Sequence, residues 1–265
     1  MTDFYQHVYL SPHYDDAALS CGGSIHQQVQ AGELVLVITI CAAPPETNEP
    51  FSPYAQAMHR VWGDPLDVVA TRQVEDQAAM QILGADYLRL KFTDCIYRGQ
   101  PRIGEWYYNN DDQLFGDVHP ADRSLAAEIV EAVLEMVPRD QKTTLFAPLT
   151  VGHHVDHQLA HAAARHLLSL GYKLAFYEDY PYADPVFAGR YTPTLETTLA
   201  GLPPPPLQPQ LRLLSEANLT AKIDSIRAYE SQMAMLFAGD TEMAELMRNY
   251  ALHVGQGQLA ERVWR

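Results

Sequence analysis

Two short turns of the sequence carry the residue types best suited to metal-assisted hydrolysis. Residues 11–16 read SPHYDD, and residues 152–157 read GHHVDH. A catalytic zinc ion takes three protein ligands of the nitrogen or oxygen type and keeps one position open for water. His13, Asp16 and His157 supply such a set, and we predict that they bind the metal.

The other polar residues of the two turns are predicted to assist these ligands. Asp15 is adjacent to a ligand but points elsewhere in an extended turn, so it can face the metal-bound water. His154 precedes His157 by three residues and therefore lies on the same side of a helix start. Asp156 is placed to orient one of the imidazoles from outside the ligand set.

Strands alternating with helices must bring the two turns together. Residues 33–41 read ELVLVITIC, which is typical of a strand buried on both faces. The pattern predicts a Rossmann-like α/β fold, a three-layer sandwich whose mostly parallel sheet has helices on both faces. In such a sheet, ligands bind outside the carboxyl ends of the strands, where both turns are placed. Further strands are predicted at 7–10, 87–92, 143–147 and 172–177, and helices at 17–31, 72–83, 122–137 and 156–170.

The length of 265 residues favours a single domain, 1–265, with a core of about 1–180 and a C-terminal extension of about 181–265. In the extension, the proline run 203–206 predicts a stiff extended segment, and 215–236 predicts one long helix.

Two irregular stretches, 43–69 and 93–120, are too long for plain connections and are expected to form the substrate pocket. The second stretch contains four aromatic residues that either stack on a sugar ring or only pack the loop down. These residues are Tyr97, Trp106, Tyr107 and Tyr108.

Charge and composition exclude several classes of partner. The chain has 18 Lys and Arg against 33 Asp and Glu, a formal charge of −15. A field of that sign disfavours nucleic acid and anionic membrane surfaces. Cys21, Cys41 and Cys95 form no CxxC pair, and we read them as buried apolar side chains. No secretion signal or apolar run of membrane-spanning length is recognised, so we expect a cytoplasmic protein, and a homo-oligomer remains open.

The two turns resemble the hallmark motifs of the PIG-L/LmbE family of N-acetylglucosaminyl deacetylases. That family has a Pro-His-Pro-Asp-Asp turn followed by paired glycines and, later, a His-Pro-Asp-His motif. Here the motifs read PHYDDAALSCGG at 12–23 and HVDH at 154–157. Three further segments resemble the family in the same order along the chain: TRQVEDQAAMQILGA at 71–85, FTDC at 92–95 and KIDSIRAYESQM at 222–233.

The resemblance implies removal of an acetyl group from an N-acetylated amino sugar or its conjugate, with the same three metal ligands. It assigns Asp15 as the general base. It assigns His154 to hold the oxyanion, in protonated form, or to protonate the leaving amine, supported by Asp156. Arg72 and Asp94 would contact the sugar. The implied cofactor is zinc, with Fe²⁺ or Co²⁺ as alternatives for such a donor set.

Three positions depart from the family pattern without removing a ligand. Tyr14 and Val155 replace prolines, and Ala17 replaces a frequent Glu. The resulting PHYDDA form is similar to that of glycopeptide-antibiotic deacetylases. The alternatives are therefore a metal-dependent amidase acting on a glycopeptide or thiol conjugate, or a non-catalytic sugar-binding protein of the same fold. A hydrolase using Ser20 or Cys21 is disfavoured, because no Gly-x-Ser-x-Gly turn surrounds them.

Overall fold

The structure is a computed structural model that describes residues 4–46, 50–139, 142–187 and 189–265. Its central feature is a seven-stranded sheet. Its order is β3-β2-β1-β6-β7-β9-β8. The first five strands are parallel, and the last two are antiparallel to their neighbours. β4 and β5 form a separate short hairpin. The strands are β1 (His7–Ser11), β2 (Val35–Thr39), β3 (Asp86–Arg89), β4 (Gly99–Gln100), β5 (Glu105–Trp106), β6 (Thr144–Pro148), β7 (Lys173–Tyr177), β8 (Pro209–Leu213) and β9 (Ala260–Trp264).

Helices cover both faces of this sheet, which confirms the predicted α/β fold class. Alternate side chains of a strand point to opposite faces. Thus Val8 and Leu10 pack with residues of α5 and α6, whereas Tyr9 packs with residues of α1 and α3. The helices are α1 (Asp16–Gln30), α2 (Pro53–Val61), α3 (Val68–Leu83), α4 (Asp111–Leu114), α5 (Leu125–Met136), α6 (Val155–Ser169), α7 (Leu195–Gly201), α8 (Glu216–Arg227), α9 (Glu230–Leu236) and α10 (Asp240–Val254).

The topology reverses between β1 and β6. From β1 the chain runs outward through β2 to β3, and it then returns to the other side of β1 as β6 and β7. Neighbouring loops leave such a reversal point in opposite directions and open a crevice between them. Both motif-bearing turns flank this crevice.

The prediction of one long helix over 215–236 is wrong in one respect. The structure has two helices there, α8 and α9. The chain turns at Tyr229, whose hydroxyl donates to the carbonyl oxygen of Tyr14 at 2.8 Å. Just inside α9, the backbone N–H of Ser231 donates to Glu75 Oε1 at 2.7 Å instead of continuing a longer helix. These tertiary contacts override a continuous helical pattern.

Two other segments also differ from the prediction. The stretch 43–69 is not simply a loop, since it contains α2, which Ser52 caps by accepting from Ala55 N at 2.9 Å; residues 47–49 lie outside the described residues. The extension adds β8 and β9 to the sheet, so it shares a sheet with the core.

The paired glycines of the first motif allow α1 and α8 to approach closely. A Cβ at Gly23 would lie 2.6 Å from Leu214 Cδ1, and one at Gly22 would lie 3.0 Å from Lys222 Cγ. Because Lys222 lies in α8, a larger residue at Gly22 would crowd α8 against α1, whereas one at Gly23 would displace the Leu214 side chain just before α8.

Within the described ranges, none of the helices combines the length and the apolar character needed to span a membrane.

Candidate metal centre and active site

The two predicted turns meet at the carboxyl ends of the adjacent strands β1 and β6. His13 lies just beyond β1, Asp15 is the N-cap of α1, and Asp16 is the first residue of that helix. His154 caps α6 by accepting a backbone hydrogen bond, and His157 lies in its first turn. The structure thus brings together side chains that are about 140 residues apart in sequence.

The Asp16 carboxylate lies between the two predicted histidine ligands. Asp16 Oδ2 is 3.1 Å from His13 Nδ1, and Asp16 Oδ1 is 3.3 Å from His157 Nε2. Asp16 Oδ2 also accepts from the backbone N–H of His13 at 2.7 Å. Although burial alone would raise the pKa of Asp16, the two imidazoles hold it well below its usual value. Two ring nitrogens and one carboxylate therefore converge.

Each of these histidines has a buried carboxylate on its other ring nitrogen. His13 Nε2 is 3.0 Å from Asp156 Oδ2, and His157 Nδ1 is 2.7 Å from Asp179 Oδ1. A metal-binding histidine characteristically donates its remote N–H to a carboxylate, which fixes both the tautomer and the ring orientation. The arrangement directs His13 Nδ1 and His157 Nε2 towards Asp16.

His154 is held in one orientation by its own helix. Its Nδ1 accepts from the backbone N–H of Asp156 at 3.2 Å. In the neutral ring the hydrogen must then be on Nε2, which lies 4.0 Å from Cys95 Sγ. Burial, together with the neighbouring His13 and His157, lowers the pKa of His154 well below its ordinary value. Both the backbone hydrogen bond at Nδ1 and the lowered pKa favour the neutral form of His154.

Asp15 and Arg72 form a second buried pair beside the histidines. Arg72 Nη2 donates to Asp15 Oδ1 at 3.2 Å, and Arg72 Nη1 lies 3.8 Å from Asp94 Oδ2. The guanidinium also lies over the rings of Tyr14 and Trp62, 5.3 and 5.2 Å from their centroids. Burial raises the pKa of Asp15, and Arg72 opposes that rise. A carboxylate whose pKa is raised by burial is a better proton acceptor than an exposed one.

A cavity of about 480 Å³ opens above these groups. Its polar lining includes His13, Asp15, Asp16, His154, Arg72 and Asp94. The aromatic residues that line its walls differ from the four named from the sequence. They are Tyr54, Trp62, Phe115, Tyr180, Tyr182 and Tyr191.

The four aromatic residues named from the 93–120 stretch do not line this cavity. Tyr107 stacks on His119 with ring centroids 4.2 Å apart, and Tyr108 is buried. Tyr97, Trp106 and Tyr107 line a separate cavity of about 340 Å³.

The family model described as PIG-L, GlcNAc-PI de-N-acetylase, matches residues 8–168, which include both turns. The chain belongs to the PIG-L family. Its similarity to known members extends to curated sequences and to solved structures.

Two curated relatives of this PIG-L chain are 2'-N-acetylparomamine deacetylases. The protein from Niallia circulans is 31% identical over 191 residues, which cover 66% of each chain. The protein from Streptomyces fradiae is 32% identical over 179 residues, which cover 66% of this chain and 56% of that protein. The chain therefore aligns with about two thirds or less of each relative's length.

A solved structure with similar architecture is the zinc-inhibited form of the teicoplanin deacetylase Orf2. It superimposes with a TM-score of 0.76 at 26% identity, and the match covers 97% of this chain and 96% of that one.

The sequence analysis of this PIG-L protein missed two supporting residues, Asp179 and Arg98. Asp179 follows β7 by two residues, so the rule that located the two turns, at the carboxyl ends of strands, could have indicated it. Arg98 lies in an irregular segment, and no sequence pattern indicates it. Asp156 was expected to support His154, but its carboxylate contacts His13 and Arg98; it reaches His154 only through its backbone N–H.

Asp179→Asn is expected to weaken zinc binding by this PIG-L protein about 10- to 100-fold, the usual cost of losing a carboxylate that orients a metal-binding histidine. The amide can still accept from Val151 N, which Asp179 Oδ2 contacts at 3.1 Å, so the backbone contact is retained. Competition for zinc against a chromophoric chelator measures the change. An unchanged affinity would show that Asp179 does not orient His157 for a metal.

Proposed function

We propose that this PIG-L protein is a metal-dependent hydrolase that removes the acetyl group from an N-acetylated amino sugar or its conjugate. The observation that carries this proposal is the convergence of His13, Asp16 and His157, with His13, Asp16 and the neighbouring buried Asp15 lining one cavity.

The donor set fits a divalent metal. His157 Nε2 is buried and makes no hydrogen bond of good geometry with any described residue, although Asp16 Oδ1 lies 3.3 Å away. His13, His154 and His157 bring ring nitrogens within 4.8 Å of one another. Because His154 Nδ1 accepts a backbone hydrogen bond, we assign His13, Asp16 and His157 as the ligands. Nitrogen and oxygen donors of this kind suit zinc, and also Fe²⁺ or Co²⁺.

Asp15 is proposed as the group that receives the proton from the attacking water. A metal held by the three ligands would supply Lewis acidity and lower the pKa of water. The Asp15 carboxylate accepts a hydrogen bond from Arg72, and Asp15 lines the cavity. It can take a proton from the water at the start of the reaction and deliver it to the amine at the end.

His154 is proposed to stabilise the negative charge that develops on the acetyl oxygen. The backbone contact at Nδ1 leaves Nε2–H as the donor of the neutral ring, and His154 lines the cavity. A neutral imidazole donor avoids a competing positive charge near the metal ligands and can still stabilise an oxyanion. Such a preorganised donor is typically worth about 3 kcal/mol in the transition state.

The cavity and the relatives together favour an amino-sugar ring attached to a larger group. A volume of about 480 Å³ is within the usual range for a site that encloses a small-molecule ligand. Arg72 and Asp94 are proposed to bind sugar hydroxyls, as donor and acceptor respectively. The relatives' substrates, acetylparomamine and teicoplanin-type compounds, guide the choice of candidates. The net charge of −15 favours a substrate that carries further amino groups.

Release of free amine tests the proposal directly. We expect protein loaded with Zn²⁺, Fe²⁺ or Co²⁺ to deacetylate at least one of N-acetylglucosamine, 2'-N-acetylparomamine and an N-acetylated glycopeptide, with equimolar acetate. Protein stripped with a chelator should be inactive and should recover when metal is restored. Sugar binding without turnover under every metal would instead support a non-catalytic sugar-binding protein.

A further inference from the structure

Behind His13 lies a buried chain of charged groups that the proposed reaction does not use. Asp156 is flanked on one side by His13 and on the other by Arg98, and Arg98 continues to Asp122 with an Nε–Oδ2 distance of 2.8 Å. Arg98, Asp122 and Asp156 are all less than 10% exposed. Burying a charged group costs free energy unless an opposite charge lies beside it, so each member of this series of charged groups needs its neighbour.

Three groups hold the Asp156 carboxylate in place: the His13 ring, the backbone N–H of Cys95 and the Arg98 guanidinium. Oδ2 is 3.0 Å from His13 Nε2 and accepts from the backbone N–H of Cys95, also at 3.0 Å, whereas Oδ1 accepts from Arg98 Nη2. The carboxylate can therefore rotate only by breaking at least one of these bonds. Since Asp156 lies in the first turn of α6 next to the proposed ligand His157, its contact with His13 links the two turns of the site.

Arg98 is itself immobilised at both its backbone and its side chain. Its N–H donates to Cys95 O at 3.0 Å, and its C=O accepts from Tyr107 N at 3.0 Å. Its guanidinium lies over the ring of Tyr108, 5.4 Å from the centroid. A planar guanidinium can contact two carboxylates at once, which a lysine ammonium on a flexible stem does less well.

We propose that Arg98 is a positioning residue for the metal centre: it locks the Asp156 carboxylate, which in turn holds the His13 ring with Nδ1 facing Asp16. The proposal rests on the metal site of the proposed function but not on the identity of the substrate. It predicts that Arg98 controls metal affinity although it contacts none of the three ligands.

Zinc affinity of the full-length protein, measured by chelator competition without substrate, tests the role of Arg98. We expect Arg98→Met to weaken zinc binding about 10- to 100-fold, as loss of outer support for a metal-binding histidine usually does. Arg98→Lys, which keeps the charge and is the safer variant for folding, should lose affinity towards the lower end of that range. Wild-type affinity in a folded Arg98→Lys or Arg98→Met protein would overturn the proposal.

A matched control and a double mutant separate positioning from general destabilisation. Lys222→Met removes another buried cation, which pairs with Glu261 at 2.8 Å and does not contact His13. It should lower the melting temperature while leaving zinc affinity unchanged. If Arg98 acts through Asp156, adding Arg98→Lys to Asp156→Asn should weaken zinc binding little further. Fully multiplicative losses, or an equal loss in Lys222→Met, would contradict the proposal.

These outcomes are distinct from failure of the proposed function. Wild-type protein that bound no zinc would overturn the metal site itself. Wild-type protein that bound zinc but released no amine from any substrate would leave the role of Arg98 testable through zinc affinity alone.

Discussion

Asp15→Asn is expected to lower kcat by about 100- to 10,000-fold, the range that a positioned general base contributes. The amide has nearly the same shape and can still accept from Arg72, which donates to Asp15 Oδ1 at 3.2 Å. It cannot take a proton from water. Because Asp15 is not one of the three assigned ligands, zinc affinity should remain within a few-fold of wild type. Steady-state amine release and chelator competition on the same preparation measure both quantities.

Asp76→Asn is the matched control for this substitution. Asp76 is also a buried carboxylate paired with an arginine, since Arg89 Nη2 donates to it at 2.9 Å, but it does not line the cavity. Its replacement should reduce thermal stability and leave kcat near wild type. Near-normal turnover by Asp15→Asn would remove Asp15 from the role of base. An equal loss of turnover in both variants would point to damaged structure instead.

The sequence could predict those residues of the site that the carboxyl ends of the strands bring together. His13, Asp15 and Asp16 follow β1, and His154 and His157 lie at the start of α6, the helix that follows β6. A parallel sheet places the carboxyl ends of adjacent strands together. The sequence could therefore indicate which side chains meet, even though the turns lie far apart along the chain.

The supporting contacts were not predictable in the same way. Arg98 reaches Asp156 from an irregular segment whose path is set by packing, not by periodicity. The cavity walls include Tyr182 and Tyr191, which lie in another irregular segment, beyond β7. The break between α8 and α9 depends on the tertiary contact of the Tyr229 hydroxyl with Tyr14. Each of these features is a property of the assembled fold, because the partner is remote and has no fixed spacing.

His157→Ala should abolish tight metal binding, with a loss of zinc affinity beyond the roughly 100-fold that removal of a supporting carboxylate can cause. The substitution removes a ligand nitrogen and leaves Asp179 buried without the imidazole that it contacts at 2.7 Å. The protein should therefore also be less stable without metal. Stabilisation by a ligand grows with ligand concentration over Kd, so added zinc should raise the melting temperature of wild type but not of His157→Ala.

His161→Ala is the control that makes this result specific. His161 lies about one turn further along α6, is buried, and stacks on Phe176 with ring centroids 4.4 Å apart. Burial lowers its pKa to about 4, so its removal at neutral pH changes no charge. His161→Ala should lower the melting temperature through lost packing while keeping the full zinc-induced rise. If His157→Ala kept that rise as well, His157 would not be a ligand, and the metal would have to be held by His13, Asp16 and a donor other than His157.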